Sequence, residues 1–227
     1  MIDFDAIIFD FDGVLIESEF EGNRHLADLL TGLGHPTTVA EAIEHYTGLS
    51  GRDFIGAIED RIGRELPPTF HQATRMLRDQ SLEEGIAAVA GAIEFVRALP
   101  PTLPKAVASS SSTRWVRTHL DHLGLSDAFE PHVYSGAEHV ERGKPEPDLY
   151  LHAANELGVP IARTVILEDS KVGATGALAS GATVIGLAAG RHCFDSHAEM
   201  LRSLGVAHIA QSFEEVRRLL RLPQPSK

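Results

Sequence analysis

The feature that most constrains the fold is a set of short apolar, β-prone runs, each followed by small or acidic side chains and then by a helix-like stretch. Continuous apolar runs of this kind are typical of strands buried on both faces, which favours a parallel sheet covered by helices over a sandwich. The runs span residues 6–9, 105–108, 132–134, 164–167 and 183–187. They predict an α/β fold with five strands and with functional side chains at the carboxyl ends of those strands.

The alternation of strands and helices is interrupted between residues 19 and 84. Apolar residues in this segment recur with helical spacing and without a strand pattern. They are Leu26, Leu29, Leu30, Leu33, Phe54, Ile55, Ile58 and Ile62. The pattern predicts a small α-helical domain, residues 19–85, inserted after the first strand into a core made of residues 1–18 and 86–227.

Composition excludes several classes of protein. The 227 residues include 32 acidic and 20 basic side chains, a formal net charge of −12, which opposes the counterion release that drives nucleic-acid binding. The single cysteine, Cys193, excludes an internal disulfide. Because no apolar run approaches the roughly 20 residues that span a bilayer and the first residues are acidic, we expect neither a membrane segment nor a signal peptide. The expected protein is cytoplasmic and monomeric.

Two carboxylates, Asp10 and Asp12, directly follow the first predicted strand. Side chains two residues apart share one side of an extended chain, so both acids can face one pocket while Phe11 turns to the core. Two carboxylates this close favour the binding of a proton or of a hard divalent cation. They can therefore serve as an ionised nucleophile and a proton carrier, although a solvated acidic turn or helix cap fits the isolated pair equally well.

Other strand ends carry groups suited to phosphate and metal. The second strand leads to Ser109, a hydroxyl donor, and to the backbone N–H of Ser110 at a predicted helix start, an arrangement that holds phosphate oxygens. Lys144 precedes two prolines that stiffen its approach, and its ammonium can neutralise a phosphoryl group. The fourth strand ends at Glu168 and Asp169, whose side chains diverge, so one is expected to ligate a metal directly and the other through water.

In this order and spacing, the four segments resemble the four motifs of the haloacid dehalogenase superfamily of aspartate-nucleophile hydrolases. The resemblance covers residues 1–18 and about 86–210. The helical insertion is similar to the α-helical cap of the branch that contains phosphatases and β-phosphoglucomutases. The resemblance therefore implies a Rossmann-like core with a cap domain.

The resemblance also implies a role for each site residue. Asp10 would be the nucleophile that forms an aspartyl-phosphate, and Asp12 the general acid and base. Ser109 and Lys144 would hold the phosphoryl oxygens. The implied Mg²⁺ ligands are the Asp10 carboxylate, the backbone carbonyl of Asp12, and Asp169, with Glu168 acting through water.

The insertion bears on the substrate. Residues 48–53 resemble the substrate-specificity loop of the family, which makes Arg52 a candidate contact of the leaving group, with an exposed helix-start residue as the alternative. Similar β-phosphoglucomutases carry a histidine where this chain has Gly22, and His25 lies nearly one turn further on. Dehalogenases of the superfamily lack the second aspartate, whereas Asp12 is present. Hydrolysis of a phosphate ester is favoured over mutase and dehalogenase chemistry.

We predict a Mg²⁺-dependent phosphatase of a small phosphorylated metabolite, such as a sugar phosphate or a phosphorylated sugar acid like 6-phosphogluconate. The alternatives are a phosphosugar mutase on the same scaffold and a non-catalytic metabolite-binding module. Three other features have structural interpretations. His119 and His122 lack a third metal ligand, Trp115 is expected to pack its helix onto the sheet, and Cys193 is interpreted as a buried or incidental thiol.

Overall fold

The computed structural model describes residues 2–47, 49 and 51–223. At its centre lies a parallel sheet with the strand order β3-β2-β1-β4-β5-β6. The strands are β1 (Ala6–Phe9), β2 (Lys105–Ser109), β3 (Val133–Ser135), β4 (Thr164–Glu168), β5 (Thr183–Leu187) and β6 (His208–Ala210). The α/β class is confirmed, but the prediction of five strands was wrong because β6 is only three residues long and begins with a histidine.

Helices cover both faces of the sheet. In β1, Ile7 and Phe9 belong to one hydrophobic cluster and Ile8 to the other, because successive side chains of a strand point to opposite faces. The first cluster contains side chains of α5 (Ala92–Arg97), α6 (Thr113–Leu123), α7 (Ser126–Phe129) and α11 (Phe213–Leu220). The second contains side chains of α8 (Asp148–Glu156), α9 (Lys171–Ser180) and α10 (His197–Ser203).

The segment after β1 is helical. It forms α1 (Ser18–Gly32), α2 (Val39–Tyr46), α3 (Gly51–Ile62) and α4 (Pro68–Glu84). These helices share a hydrophobic cluster of their own, whose most buried members include Leu30, Ala42 and Ile58. At the start of α2, Thr38 and Glu41 cap each other's backbone N–H groups, which fixes where that helix begins. The predicted helical insertion after the first strand is confirmed, while its division from the core at residues 18 and 86 stays a prediction.

The sheet order places the site. Strand β1 lies between β2 and β4, so the residues that follow these three strands meet at the same edge of the sheet. Phe9 pairs with Val107 on one side and with Leu167 on the other, and the N–H of Asp10 extends the ladder by donating to the carbonyl of Leu167 at 2.9 Å. Within the part of the chain that the structure describes, no helix is long and apolar enough to cross a membrane.

Candidate active site

A cavity of about 1460 Å³ lies between the carboxyl edge of the sheet and the inserted helices. Both parts of the chain contribute to its walls. The sheet side presents Asp10, Asp12, Ser109, Ser110, Ser111, Trp115, Lys144 and Asp169. The inserted helices present Glu19, Asn23, Tyr46, Phe54 and Arg78. Six of the eight predicted site residues therefore line this cavity, and the two exceptions are Arg52 and Glu168.

Lys144 holds two buried carboxylates together. Its Nζ donates to Asp10 Oδ1 at 2.6 Å and to Glu168 Oε1 at 2.8 Å, and it lies 5.0 Å from the centre of the Tyr150 ring. Burial alone would lower the pKa of this ammonium, but the charges of Asp10 and Glu168 outweigh burial and raise the pKa well above its ordinary value. Lys144 therefore stays protonated beside Asp10.

Glu168 is held by hydrogen bonds on both carboxylate oxygens. Tyr150 Oη donates to Oε1 at 2.8 Å, and the N–H and Oγ of Ser170 donate to Oε2 at 2.9 and 3.1 Å. Gly173, in the first turn of α9, leaves room for this carboxylate, because a Cβ at residue 173 would lie 1.6 Å from Oε1. This arrangement suits Glu168 to positioning Lys144.

Asp169 is buried beside Asp10 and has one engaged oxygen. The Nε2–H of His192 donates to Oδ2 at 2.8 Å, whereas Oδ1 has no hydrogen-bond partner among the described residues. Gly13 has a φ of +81°, and a Cβ there would lie 2.2 Å from Oδ2, so this turn needs glycine for both its conformation and its space. Burial, followed by the charge of Glu168, raises the pKa of Asp169 well above its ordinary value.

The carboxylates fit a hard divalent cation. One oxygen from each of Asp10, Glu168 and Asp169 lies within 4.8 Å of the others, and all three side chains are buried. Three acids face the single ammonium of Lys144, and burial together with the charge of Glu168 raises the pKa of Asp10 as well. An added cation would offset this excess negative charge, and the free Oδ1 of Asp169 offers it an oxygen ligand.

Asp12 has a different environment from Asp10. Its Oδ1 accepts hydrogen bonds from Ser18 Oγ at 2.8 Å and Trp115 Nε1 at 3.1 Å. Its Oδ2 accepts from Ser111 Oγ at 2.7 Å and Ser109 Oγ at 3.2 Å. Four uncharged donors thus fix this carboxylate, whereas a charged amine contacts Asp10.

Sequence reasoning missed most of the donors to Asp12. Trp115 packs against the hydrophobic cluster of the sheet, as expected, and its indole N–H in addition binds Asp12, which the sequence did not indicate. Ser18 and Ser111 carried no pattern that distinguishes them from other serines. Their proximity to Asp12 depends on where α1 and the loop after β2 lie in three dimensions.

The structure does not bring Arg52 to the cavity. This side chain is exposed at the start of α3 and is absent from the cavity wall, and Gly48 and Ser50 of the predicted specificity loop lie outside the described residues. The arginine in the cavity is Arg78 of α4, whose guanidinium lies 5.2 Å from the centre of the Trp115 ring. No motif in the sequence of α4 distinguishes Arg78 from the neighbouring polar residues.

The predicted structural histidines bind backbone oxygens. His119 Nδ1 lies 2.9 Å from the carbonyl of Trp115, and His122 Nε2 lies 3.0 Å from the carbonyl of Leu82. Each contact engages one nitrogen of its ring, and the absence of a metal at this pair stays a prediction. Cys193 is half-buried, and burial raises the pKa of its thiol, which disfavours a nucleophilic role.

Glu19 is a further acid in the cavity. Burial, followed by the charges of Asp169 and Asp12, raises its pKa to about 7. Sequence reasoning did not anticipate that an ionisable group of the insertion faces the site.

Comparisons with known proteins agree with this geometry. The family model described as haloacid dehalogenase-like hydrolase matches residues 7–187. Hexitol phosphatase A of Escherichia coli is 31% identical over 79% of this chain and 81% of its own length. The 6-phosphogluconate phosphatase of the same organism is 26% identical over 83% of this chain and 84% of its own.

A solved structure is similar over nearly the whole chain. It is a HAD family hydrolase from Deinococcus radiodurans with bound phosphate and sodium, with a TM-score of 0.84 and 32% identity over 97% of this chain and 96% of that one. The predicted enzyme class, a phosphatase-type hydrolase, is confirmed by these matches. With two carboxylates in distinct environments at the end of its first strand and a family match that covers most of its length, the chain belongs to the haloacid dehalogenase-like hydrolases.

Proposed function

We propose that this protein hydrolyses the phosphoric monoester of a small sugar-type or polyol metabolite with Mg²⁺ as cofactor, through an aspartyl-phosphate on Asp10. The observation that carries the proposal is the contrast between the two acids of the first motif. Asp10 contacts the ammonium of Lys144, and Asp12 is held by four neutral donors. Such a contrast supports separate roles for two neighbouring carboxylates.

The first half of the reaction uses both acids. Lys144 donates to Asp10 Oδ1, and Oδ2 has no hydrogen bond among the described residues, which supports attack by Oδ2 on phosphorus. As that P–O bond forms, the bond to the leaving oxygen breaks, and Asp12 supplies the proton that the leaving alcohol needs. Ser109, Lys144 and the backbone N–H of Ser110 hold the phosphoryl oxygens during the transfer.

The second half restores the enzyme. Asp12, now without its proton, takes a proton from water as the water oxygen attacks the phosphorus of the aspartyl-phosphate, and phosphate leaves. Mg²⁺, held by Asp10, the backbone carbonyl of Asp12 and Asp169, supplies positive charge against the anionic phosphoryl group when bound. Glu168 holds Lys144 in place, with the water-mediated contact to the cation as its predicted second role.

The part of the cavity wall that the insertion forms supports a substrate whose leaving alcohol is larger than the phosphoryl group. Its side chains mix apolar surface, such as Phe54 and Tyr46, with polar groups, such as Asn23 and Arg78. This mixture suits a carbon chain with hydroxyl groups, and the two named relatives act on a hexitol phosphate and on a phosphorylated sugar acid. The choice between such substrates, the cytoplasmic location and the monomeric state are predictions.

The mutase alternative has less support. Gly22 lines the cavity at the position where a cap histidine would act, while His25 lines only an adjoining cavity of about 270 Å³. Burial lowers the pKa of His25, and no described histidine of the insertion lines the main cavity. A mutase would convert a sugar phosphate to its isomer in the presence of a bisphosphate activator, and we expect free phosphate instead.

The test is phosphate release from a panel of hexitol, hexose and sugar-acid phosphates, with and without Mg²⁺. We expect Mg²⁺-dependent release from the wild type and a loss of at least about a thousandfold for Asp10→Asn, since that change removes the nucleophile. Equal release by Asp10→Asn would reject the nucleophile assignment. A protein that releases no phosphate from any substrate, and that Mg²⁺ with a fluoride mimic of the phosphoryl group does not stabilise, would instead be a binding module.

A further inference from the structure

A second cluster of metal-binding side chains adjoins the catalytic cavity. His192 and Cys193 lie in the loop after β5, and His197 begins α10. One ligand atom from each of the three lies within 4.8 Å of the others. His192 is only 2% exposed and Cys193 is half-buried, so the group is built into the protein. None of the three has a part in the proposed hydrolysis.

The spacing around His192 Nε2 suits a tetrahedral cation. This nitrogen lies 3.4 Å from Cys193 Sγ and 2.8 Å from Asp169 Oδ2. With Zn–N near 2.0 Å and Zn–S near 2.3 Å, tetrahedral zinc separates its nitrogen and sulfur ligands by roughly 3.5 Å. The nitrogen–sulfur pair already has this separation, and the nitrogen–oxygen pair needs to open by about half an ångström.

The two histidine rings are oriented by the same acidic residue. His197 Nε2 lies 2.7 Å from the backbone oxygen of Asp169, and the two rings lie nearly perpendicular with centres 5.5 Å apart. His192 Nδ1 is buried and has no hydrogen-bond partner among the described residues. A metal on Nε2 would therefore place the ring proton on Nδ1, and Asp169 Oδ2, which accepts the Nε2–H in the metal-free protein, would change from acceptor to ligand.

We propose that His192, Cys193 and His197, with Asp169 as the fourth ligand, form a zinc site, and that zinc bound there inhibits the hydrolysis. A set of one thiolate, two imidazoles and one carboxylate favours zinc over Mg²⁺, which prefers oxygen ligands alone. The metal displaces the thiol proton, because cysteine ligates as the thiolate. The inhibitory part rests on the proposed function, and the binding part does not.

Inhibition follows from the position of Asp169. This residue belongs to the carboxylate cluster proposed for Mg²⁺, and its Oδ2 contacts His192 of the proposed zinc site at 2.8 Å. Zinc on Oδ2 would neutralise the charge of Asp169 and fix its orientation, and both effects weaken its hold on a cation at Asp10. Zinc thus acts beside the reacting groups without occupying the place of the substrate.

The first experiment tests the site with cobalt in place of zinc. Cobalt bound to a thiolate absorbs in the near ultraviolet, and because the chain has one cysteine, the band reports on Cys193 alone. We expect one equivalent of Co²⁺ to produce the band in the wild type and zinc to remove it. The band should be absent in Cys193→Ser and unchanged in His35→Ala, a histidine of the insertion outside the cavity. If the wild type shows no cobalt–thiolate band, the proposed zinc site is wrong.

The second experiment measures phosphate release at fixed Mg²⁺ while the zinc concentration rises. Cys193→Ser should keep its activity without zinc and need at least about tenfold more zinc for half inhibition, since one ligand is lost. His197→Gln should shift the inhibition in the same direction, and melting temperatures without metal show that both variants are folded. Equal inhibition of wild type and Cys193→Ser would locate zinc at the oxygen ligands and contradict the proposal. If the wild type releases no phosphate at all, the proposed function fails, and the cobalt band still decides the site.

Discussion

Among single residues, Asp12 shows how neutral donors can fix the position of a carboxylate. Each of its two oxygens accepts two hydrogen bonds, and the donors come from α1, the last residue of β2, the loop after β2, and α6. Together the four donors hold the carboxylate in one orientation beside Asp10. The loss of any one donor should therefore loosen the orientation of Asp12.

Trp115→Phe tests the contribution of one of these donors. The variant removes the bond from Nε1 to Asp12 Oδ1 and keeps an aromatic ring beneath Arg78. A hydrogen bond to a charged group contributes about 1.5–3 kcal/mol, so we expect kcat to fall about 10- to 100-fold if the bond matters in the transition state. The measurement is steady-state phosphate release together with the thermal unfolding midpoint.

A change at the same end of α6 provides the control. Thr113→Val removes a 2.6 Å bond to the exposed Glu138, which does not face the cavity. This variant should alter stability slightly and leave kcat near that of the wild type. If Trp115→Phe lowers only the unfolding midpoint, the indole serves packing alone, as the sequence interpretation had it.

Among the elements, α9 approaches the site closely because it contains glycines. A Cβ on Gly173 would lie 1.6 Å from Glu168 Oε1, and a Cβ on Gly176 would lie 2.9 Å from the backbone oxygens of Pro145 and Glu146, next to Lys144. The helix therefore packs against both the carboxylate and the loop that hold the ammonium of Lys144. Its two glycines allow this close approach, at the cost of a lower helix propensity than alanine would give.

Gly173→Ala should displace Glu168 and thereby Lys144. We expect a loss of activity of at least about tenfold and a destabilisation of about 1–3 kcal/mol, the range for forcing a group into a packed site. Phosphate release and urea unfolding measure the two effects. Gly56→Ala in α3, where a Cβ meets nothing within 4 Å, is the matched control and should stabilise the protein by about 0.5–1 kcal/mol. Full activity in Gly173→Ala would show that Glu168 does not position Lys144.

The same elements show what the sequence could and could not reveal. Strands β1, β2, β4 and β5 were predicted nearly to the residue, because each is a buried apolar run that ends at small or acidic side chains. The acids of the site follow such strands and were predicted with them, whereas Lys144 lies between β3 and α8 and was predicted from the prolines that follow it. Arg78 and His192 could not be found this way, because they reach the site through tertiary packing of α4 and of the loop after β5.

In the molecule as a whole, burial of several acids ties stability to pH. Burial and neighbouring charges raise the pKa values of Asp10 and Asp169, and they raise that of Glu19 from 4.5 to about 7. A raised pKa means that the folded protein holds its proton more tightly than the unfolded chain. The resulting stability is complete below the unfolded pKa and is lost as the pH rises through the folded pKa.

We therefore expect the metal-free protein to melt at a lower temperature at about pH 8 than at about pH 5. Lys144 adds little to this slope, because its raised pKa keeps it protonated across the range. Because Mg²⁺ is proposed to bind the ionised carboxylates, it should raise the melting temperature more at the higher pH. Thermal unfolding at both pH values, with and without Mg²⁺, measures this difference.

Asp169→Asn provides the comparison for the metal effect. The variant removes one buried charge and one proposed ligand, so its metal-free form should lose less stability at the higher pH and gain less from Mg²⁺. An equal gain from Mg²⁺ at both pH values in the wild type would show that the cation binds away from these acids.

The bond between Ser18 and Asp12 limits how this protein can diversify. Ser18 is the first residue of α1, so the helix that opens the insertion begins with a donor to Asp12, the proposed proton carrier. Side chains of α2, α3 and α4 can be substituted to suit a different leaving alcohol without affecting that bond. A tilt of α1 at its first turn, in contrast, would alter proton transfer for every substrate. New substrate specificity is therefore most accessible through substitutions far from the Ser18–Asp12 bond. Ser18 and Asp12 themselves should tolerate the least sequence change.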